Sequence, residues 1–442
     1  MIHLIRCVAL VATWTACNVA PGAADGQKAP PATQQIEDAK RDLTHSDSEK
    51  RLNVRSVAPL TYEEAFRDLH AHLGKRYPNF ELKNIDWKKA GEELIPRAAK
   101  AKTDAEFGLL CTELVARLED SHAQLLPGTA QVPLFEFPQY DPGFACLLDD
   151  RRRPVVYHVD KNSPAEQAGV AVVRVNGTPA ADAMDAWMDR QRTYVGYSSN
   201  RYLRYDAAKG FCRQMKRGDL VKLEMEDPDG KSHAFELPAT LGIRYLPRLP
   251  VPIEGINDSG AVEARDLGDG IGYVYVRRIR ADLPETLDAA LKKLGDVKGL
   301  IIDVRGNSGG GFDTARAFRN FDPADAAEPD RPRYKGPIAL LIDERCISAG
   351  EGWSSWFVAK KRAKLFGTHT AGASARRETY SLINGLYKVT FPVKAYTGFL
   401  DRPIERRGLE PDVPVRCSAK DLAAGKDTVL EAVKRHLLED GR

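Results

Sequence analysis

The chain has 442 residues, 43% of them hydrophobic and 29% charged, with 65 Lys and Arg against 62 Asp and Glu. That balance excludes a disordered or collagen-like chain. A formal charge of +3 over this length, without a recognisable nucleic-acid module, gives no electrostatic case for a DNA or RNA partner.

In chain order, the first feature is a leader. Arg6 precedes the apolar run from Cys7 to Ala16, too short for a bilayer's roughly 20 residues, and Gly22-Ala23-Ala24 offers small side chains for cleavage. Residues 1–24 therefore read as an export signal, predicting a periplasmic or secreted protein. Lipidation at Cys17, which would bring membrane contact, and an uncleaved anchor are the alternatives. Residues 25–55 are rich in Ala, Pro, Gln, Asp and Lys, with too few large apolar groups to offset the entropy of ordering, and read as a disordered linker.

From 56 to 130 the pattern is helical. Ala65, Leu69 and Leu73 recur at helical spacing, as do Phe107, Leu110, Leu114 and Leu118. Thr103 with Glu106 predicts a capping box at the start of the last helix, which runs to Glu119-Asp120-Ser121-His122. Residues 131–245 read as short strands, with Asp227-Pro228-Asp229-Gly230 as the turn of a hairpin between VKLEM and HAFEL. Inside them, Asn162-Ser163-Pro164-Ala165-Glu166-Gln167-Ala168-Gly169-Val170 followed by VVRVNG resembles a PDZ-like domain. That resemblance implies either an extended peptide added to a sheet edge or a groove left unused. From 246 to 442 strand and helix alternate: IGYVYV, a helix around Pro284–Leu294, LIIDV, IALLID, a helix after Ser348, then KLFGTH. Near-continuous apolar strands of this kind predict an α/β core whose sheet is buried on both faces.

The cysteines are odd in number and far apart, so they predict no disulfide framework; after the leader they are Cys111, Cys146, Cys212, Cys346 and Cys417. No CxxC or HExxH occurs, and no metal or cofactor is expected. Two segments carry chemistry. LIIDV runs into Arg305-Gly306-Asn307-Ser308-Gly309-Gly310-Gly311, where backbone N–H groups can approach a ligand without Cβ obstruction. It lacks the order of a phosphate loop or a dinucleotide fingerprint. IALLID leads through Glu344-Arg345-Cys346-Ile347-Ser348-Ala349-Gly350-Glu351 into a helix, placing Ser348 at a helix N-terminus, where developing negative charge is stabilised. On spacing alone Ser348 reads equally as an N-cap. Its segment lacks the first Gly of GxSxG, which argues against an α/β-hydrolase esterase.

GLIIDVRGNSGG, CISAGE, GTHTAGA at 367–373 and Glu405-Arg406-Arg407-Gly408-Leu409-Glu410-Pro411-Asp412, in that order, are similar to peptidase family S41, the C-terminal processing or tail-specific proteases. The resemblance implies a ClpP/crotonase-like protease core joined to the PDZ-like domain and the N-terminal helical region, a peptide or protein substrate, and Ser348 as nucleophile. One branch of the family activates its serine with a lysine in the segment resembling GTHTAGA; here Ala373 stands there, and no lysine occurs between Lys364 and Lys388. The tricorn-core-like branch uses a Ser-His-Ser-Glu tetrad. Asp120-Ser121-His122 and the Glu405 segment match its other two places, implying His122 as general base with Ser121 and Glu405 as its supports. His369 is a reserve base. The oxyanion hole would combine the N–H of Ala349 with that of Gly309 or Gly310. An exported serine peptidase is the expectation; a catalytically silent relative that binds peptides or small apolar ligands is the alternative raised by the missing lysine.

Overall fold

Four helices open the described part of the computed structural model, which covers residues 60–160, 169–323 and 331–440. The expected leader, the lipidation site Cys17, the linker and residues 162–168 of the PDZ-like motif lie outside the described residues. The helices are α1 (Tyr62–Arg76), α2 (Phe80–Lys83), α3 (Trp87–Ala98) and α4 (Asp104–Ala116), followed by strand β1 (Gln124–Pro127). A capping box starts α1: Thr61 Oγ accepts the Glu64 N–H at 3.2 Å, and the Glu64 carboxylate accepts the Thr61 N–H at 2.9 Å. At α4 half of the expected box forms, because Glu106 reaches the N–H of Lys102 in place of that of Thr103. This helix also ends earlier than predicted, at Ala116. Glu119 takes a positive φ of 48°, which turns the chain out of helical geometry before Asp120.

The middle region holds β2 (Phe144–Leu148), β3 (Pro154–Val159), β4 (Ala171–Val175), β5 (Thr178–Pro179), α5 (Ala180–Arg192), α6 (Asn200–Gly210), β6 (Leu220–Glu226) and β7 (Ser232–Pro238). Its strands pair in the order β2-β3-β4-β6-β7, with β5 on β4. The predicted hairpin is β6 and β7, antiparallel about the Asp227 turn, with Val221, Leu223 and Met225 facing inward. The two helices depart from the all-strand expectation. Ala180, Met184, Trp187 and Met188 lie at helical spacing and bury one face of α5 against the sheet, so period 3.6 overrides the short apolar runs.

The rest of the chain gives β8 (Val262–Asp266), β9 (Ile271–Val276), α7 (Leu283–Leu294), β10 (Gly299–Asp303), β11 (Ile338–Ile342), α8 (Ala349–Ala359), β12 (Lys364–Gly367), β13 (Ala375–Ser381), β14 (Tyr387–Ala395), β15 (Val413–Pro414), α9 (Ala419–Ala423) and α10 (Thr428–Asp440). Strands β15-β12-β11-β10-β9 run parallel, and β8 adds an antiparallel edge. Alternate residues feed two cores: Leu300, Ile302, Leu340 and Ile342 face α7 and α8, while Ile301, Ala339 and Leu341 face α10. Both faces are covered, as unbroken apolar strands require.

One hairpin leaves this layer. Strands β13 and β14 pair with β1 in a separate sheet, and Tyr387, Val389 and Phe391 join the core of α1, α3 and α4. The helical region expected at 56–130 thus borrows residues from 246–442. This pairing has a consequence for chemistry, because β1 begins two residues after His122 and β13 begins two residues after Ala373.

Candidate active site

Ser348 lies where β11 gives way to α8, at φ 57° and ψ −125°, a conformation that L-residues rarely adopt. Its side chain makes no capping hydrogen bond to the helix, so the N-cap alternative fails and the hydroxyl is left aimed elsewhere. The backbone is fixed on both sides. The Ser348 N–H donates to the Ala373 carbonyl at 2.8 Å, and the Ser348 carbonyl accepts from Gly352 N–H at 3.0 Å and from Ser374 Oγ at 3.1 Å.

His122 reaches this hydroxyl from the other end of the chain, its Nε2 lying 3.1 Å from Ser348 Oγ. The small sheet does the carrying: Gln124 pairs with Thr390, which holds the loop before β1 against the segment following Ala373. His122 is buried, and that burial takes its pKa from 6.5 down to about 4. Asp120 opposes the fall, while Arg377 and Lys83 add to it. The ring is therefore neutral at physiological pH.

The two supporting residues sit one contact further out. Ser121 Oγ accepts the Ser198 N–H and the Ser121 N–H donates to Ser198 Oγ, both at 3.0 Å. Ser198 also hydrogen-bonds Glu405 through its side chain. Glu405 is fully buried; it accepts the Ser374 N–H at 3.2 Å, and its Oε1 lies 2.6 Å from Lys83 Nζ. Burial and the charge of Asp120 push the Glu405 carboxyl up to about 8, against the pull of Lys83. Lys83 in turn lies 3.0 Å from Asp120, whose other oxygen accepts the His122 N–H at 2.9 Å. Ser121 and Glu405 thus join through Ser198, and Glu405 joins the His122 loop through Lys83 and Asp120.

The glycine turn packs directly against the serine. Gly309 has φ +75°, and a Cβ there would stand 2.7 Å from Ser348 Cβ; at Gly310 a Cβ would collide with the Ile279 carbonyl. Of the two glycines expected to serve the oxyanion, Gly309 spends its N–H on Asn307 Oδ1 at 2.7 Å, a correction imposed by the Asx turn. Among the described residues no backbone partner takes the N–H of Gly310 or of Ala349. Asp303 and Arg305 hold the turn from below: the guanidinium is buried between Asp303 and Asp427. His369 faces Glu410 at 4.0 Å with its ring part-exposed.

Several residues of this assembly carry no sequence signal. Lys83 and Ser198 stand in polar stretches without a motif. Glu351 was legible only as part of CISAGE, yet it is buried in the first turn of α8. There it accepts Thr370 Oγ1 (2.5 Å), Gly372 N–H (2.7 Å), Ala373 N–H (2.9 Å) and Ser374 Oγ (2.7 Å), fastening the 367–373 loop to the nucleophile helix. Burial raises its pKa, and those four donors oppose the rise.

Residues 270–415 match the model of peptidase family S41, and residues 58–116 that of the tricorn protease C1 domain. Tricorn protease homolog 1 of Streptomyces coelicolor is 22% identical over 422 residues, covering 89% of this chain and 36% of the homologue, so the chain spans about a third of that relative's length. Two solved structures of mature CPAF share the fold. One, at a TM-score of 0.61 and 14% identity, covers 84% of this chain and 96% of its own; the other, complexed with lactacystin, scores 0.59 at 14% identity and covers 85% and 97%. The class defined by these homologues is the serine-type peptidases, which are hydrolases. Within it, the similarity of this chain to family S41 lies over 270–415 and its similarity to the tricorn C1 domain over 58–116.

Proposed function

We propose that this chain is an exported serine peptidase of the tetrad type, hydrolysing peptide bonds through an acyl-enzyme on Ser348. The observation that carries the reading is the 3.1 Å approach of His122 Nε2 to Ser348 Oγ across 226 residues of sequence. That distance is hydrogen-bond reach for a general base, and a neutral imidazole is the form that accepts a proton.

In this reading His122 removes the hydroxyl proton as Oγ attacks the substrate carbonyl carbon. The resulting oxyanion meets the N–H of Ala349 at the start of α8, where the helix dipole adds to its effect, and the N–H of Gly310 in the glycine turn. The imidazolium then delivers its proton to the departing amine nitrogen, the C–N bond breaks, and an ester on Ser348 remains. Water attacks that ester with His122 again as base, releasing the carboxylic acid and restoring the serine. A depressed imidazole pKa weakens the base and strengthens the acid, which favours expulsion of the amine.

The buried Ala373 supports the tetrad over a Ser–Lys dyad: its carbonyl is bonded to the nucleophile's own N–H, so the place where the other branch carries lysine is beside Ser348 and holds only a methyl group. The parallel core is read as ClpP/crotonase-like. The β2–β7 sheet with α5 is read as the PDZ-like module, which would offer an edge to the peptide.

Ser348→Ala and His122→Ala are each expected to lower peptide hydrolysis by about 10⁴–10⁶-fold. Labelling by a fluorophosphonate, read by mass spectrometry of the Ser348 peptide, separates this reading from a silent peptide-holding protein. A folded chain that takes no label while binding peptide would reject the peptidase.

A further inference from the structure

Lys83 closes α2, and the reaction derived above makes no use of it. Its side chain is fully buried, as are those of Asp120 and Glu405. Its Nζ lies 3.0 Å from Asp120 Oδ2 and 2.6 Å from Glu405 Oε1, and donates to Tyr77 Oη and to the Glu119 carbonyl, each at 2.7 Å. Tyr77 Oη completes the ring by donating to Asp120 Oδ2 at 2.8 Å. Stability alone is a weak reason for such a group, since well-packed apolar side chains serve a buried site as well or better.

Its position gives a better reason. Asp120 grips Lys83 with Oδ2 and the backbone N–H of His122 with Oδ1. Glu405 meets Lys83 with Oε1 and the Ser374 N–H with Oε2, and Ser374 Oγ donates to the carbonyl of Ser348. One ammonium therefore touches the carrier of the base on one side and the carrier of the nucleophile on the other. Three elements far apart in the chain, the end of α2, the loop before β1 and the loop before β15, meet on it.

We propose that Lys83 is a positioning residue of the peptidase reaction: it draws the Asp120 loop and the Glu405 loop onto one buried ammonium and so sets the approach of His122 to Ser348. This rests on the reading of Ser348 as nucleophile. Asp120, Arg377 and Lys83 are among the charges acting on His122. Loss of the lysine leaves Asp120 uncompensated and makes the imidazole easier to protonate; loss of Asp120 does the reverse. A role confined to packing predicts neither movement.

The test is the rate of Ser348 labelling by a fluorophosphonate across the pH range, on the full chain, with melting curves as a check on folding. Lys83→Met should slow labelling at neutral pH by about 10²-fold, the scale of a misplaced catalytic group, and should move the acid limb of the profile upward. Lys83→Arg should recover part of the rate, and Asp120→Asn should move the limb downward. Lys83→Met that folds and labels at the unaltered rate with an unmoved limb overturns the proposal. If Lys83→Met does not fold, Lys83→Arg and Asp120→Asn decide, and an unmoved limb in both overturns it. Failure of the unaltered chain to take label at Ser348 is a different result: it removes the peptidase reading and the positioning role with it.

Discussion

Two buried clusters in this protein have the same composition, one cation between two carboxylates, and behave differently. Arg305 spans Asp303 and Asp427 with its fork: Nη2 lies 2.6 Å from Asp303 Oδ2 and 2.7 Å from Asp427 Oδ2, Nε donates to Asp303 at 3.0 and 3.1 Å, and Nη1 donates to Asp427 at 3.1 Å. Each carboxylate has its own side of a planar donor set. Burial works against the charge, but the two acids hold the Arg305 pKa well above its ordinary value. Asp427 Oδ1 also accepts the N–H groups of Val429 and Leu430, so the cluster ties the end of β10 to the start of α10. Lys83 offers a point charge, which Asp120 and Glu405 must share. Burial opposes ionisation of Asp120, yet Lys83 and His122 hold it below the ordinary carboxylate range, and Glu405 is driven the other way. The arginine cluster is a staple fixed in charge; the lysine cluster keeps a proton that can leave, one residue from Asp120, the backbone anchor of His122.

The largest effect expected from this contrast is on stability. Arg305→Met strands two carboxylates in the core and should cost about 3–5 kcal/mol, measured by denaturant unfolding. The acid limb of Ser348 labelling should stay in place, because Arg305 is held between Asp303 and Asp427, whereas His122 is acted on by Asp120, Arg377 and Lys83. A limb that moves with Arg305→Met would mean that the two clusters communicate. A smaller effect is expected at Gly309→Ala. Holding alanine at φ +75° costs about 1–2 kcal/mol. Its Cβ also presses on Ser348, so labelling should fall further than the lost stability accounts for. Equal losses in the two measurements would show the turn to be a mere spacer.

The contrast also explains what could be read from the amino-acid order. The arginine cluster lies in GLIIDVRGNSGG, where a two-residue spacing places Asp303 and Arg305 together at a strand end. The strands β9 to β12 were equally so, because burial on both faces leaves unbroken apolar runs. Ser348 and His122 could be named only through the resemblance; each alone passes for a helix end. Lys83 and Ser198 left no trace, since a buried lysine looks like a surface lysine until its carboxylates arrive from elsewhere in the chain. The helices α5 and α6 were legible in principle: Ala180, Met184 and Trp187 keep helical spacing, but the surrounding strands drew the reading to period 2. Between Gly309 and Gly310 the amino-acid order offered no choice, because the Asx bond that takes the Gly309 N–H depends on backbone geometry, which residue types alone do not encode.

The smallest expected effect is the most direct probe of the movable proton. Glu405 has a folded pKa of about 8 against an ordinary 4.5, so between those values the folded protein keeps a proton that the unfolded chain releases. Unfolding free energy must then fall as pH rises through this window, with a slope of at most about 1.4 kcal/mol per unit. The contribution is complete below pH 4.5 and gone above about 8. His122 has the opposite sign: its depressed pKa adds stability above 6.5 that is lost as pH falls towards about 4. The two oppose one another in mild acid, and between pH 6.5 and 8 only the Glu405 contribution of the pair remains. Glu405→Gln keeps the acceptor for the Ser374 N–H and removes the titration, so stability of this variant should be flatter than that of the unaltered chain across pH 6.5 to 8, while Arg305 retains its proton in both. Identical slopes would place the proton elsewhere and make the lysine cluster as inert as the arginine one.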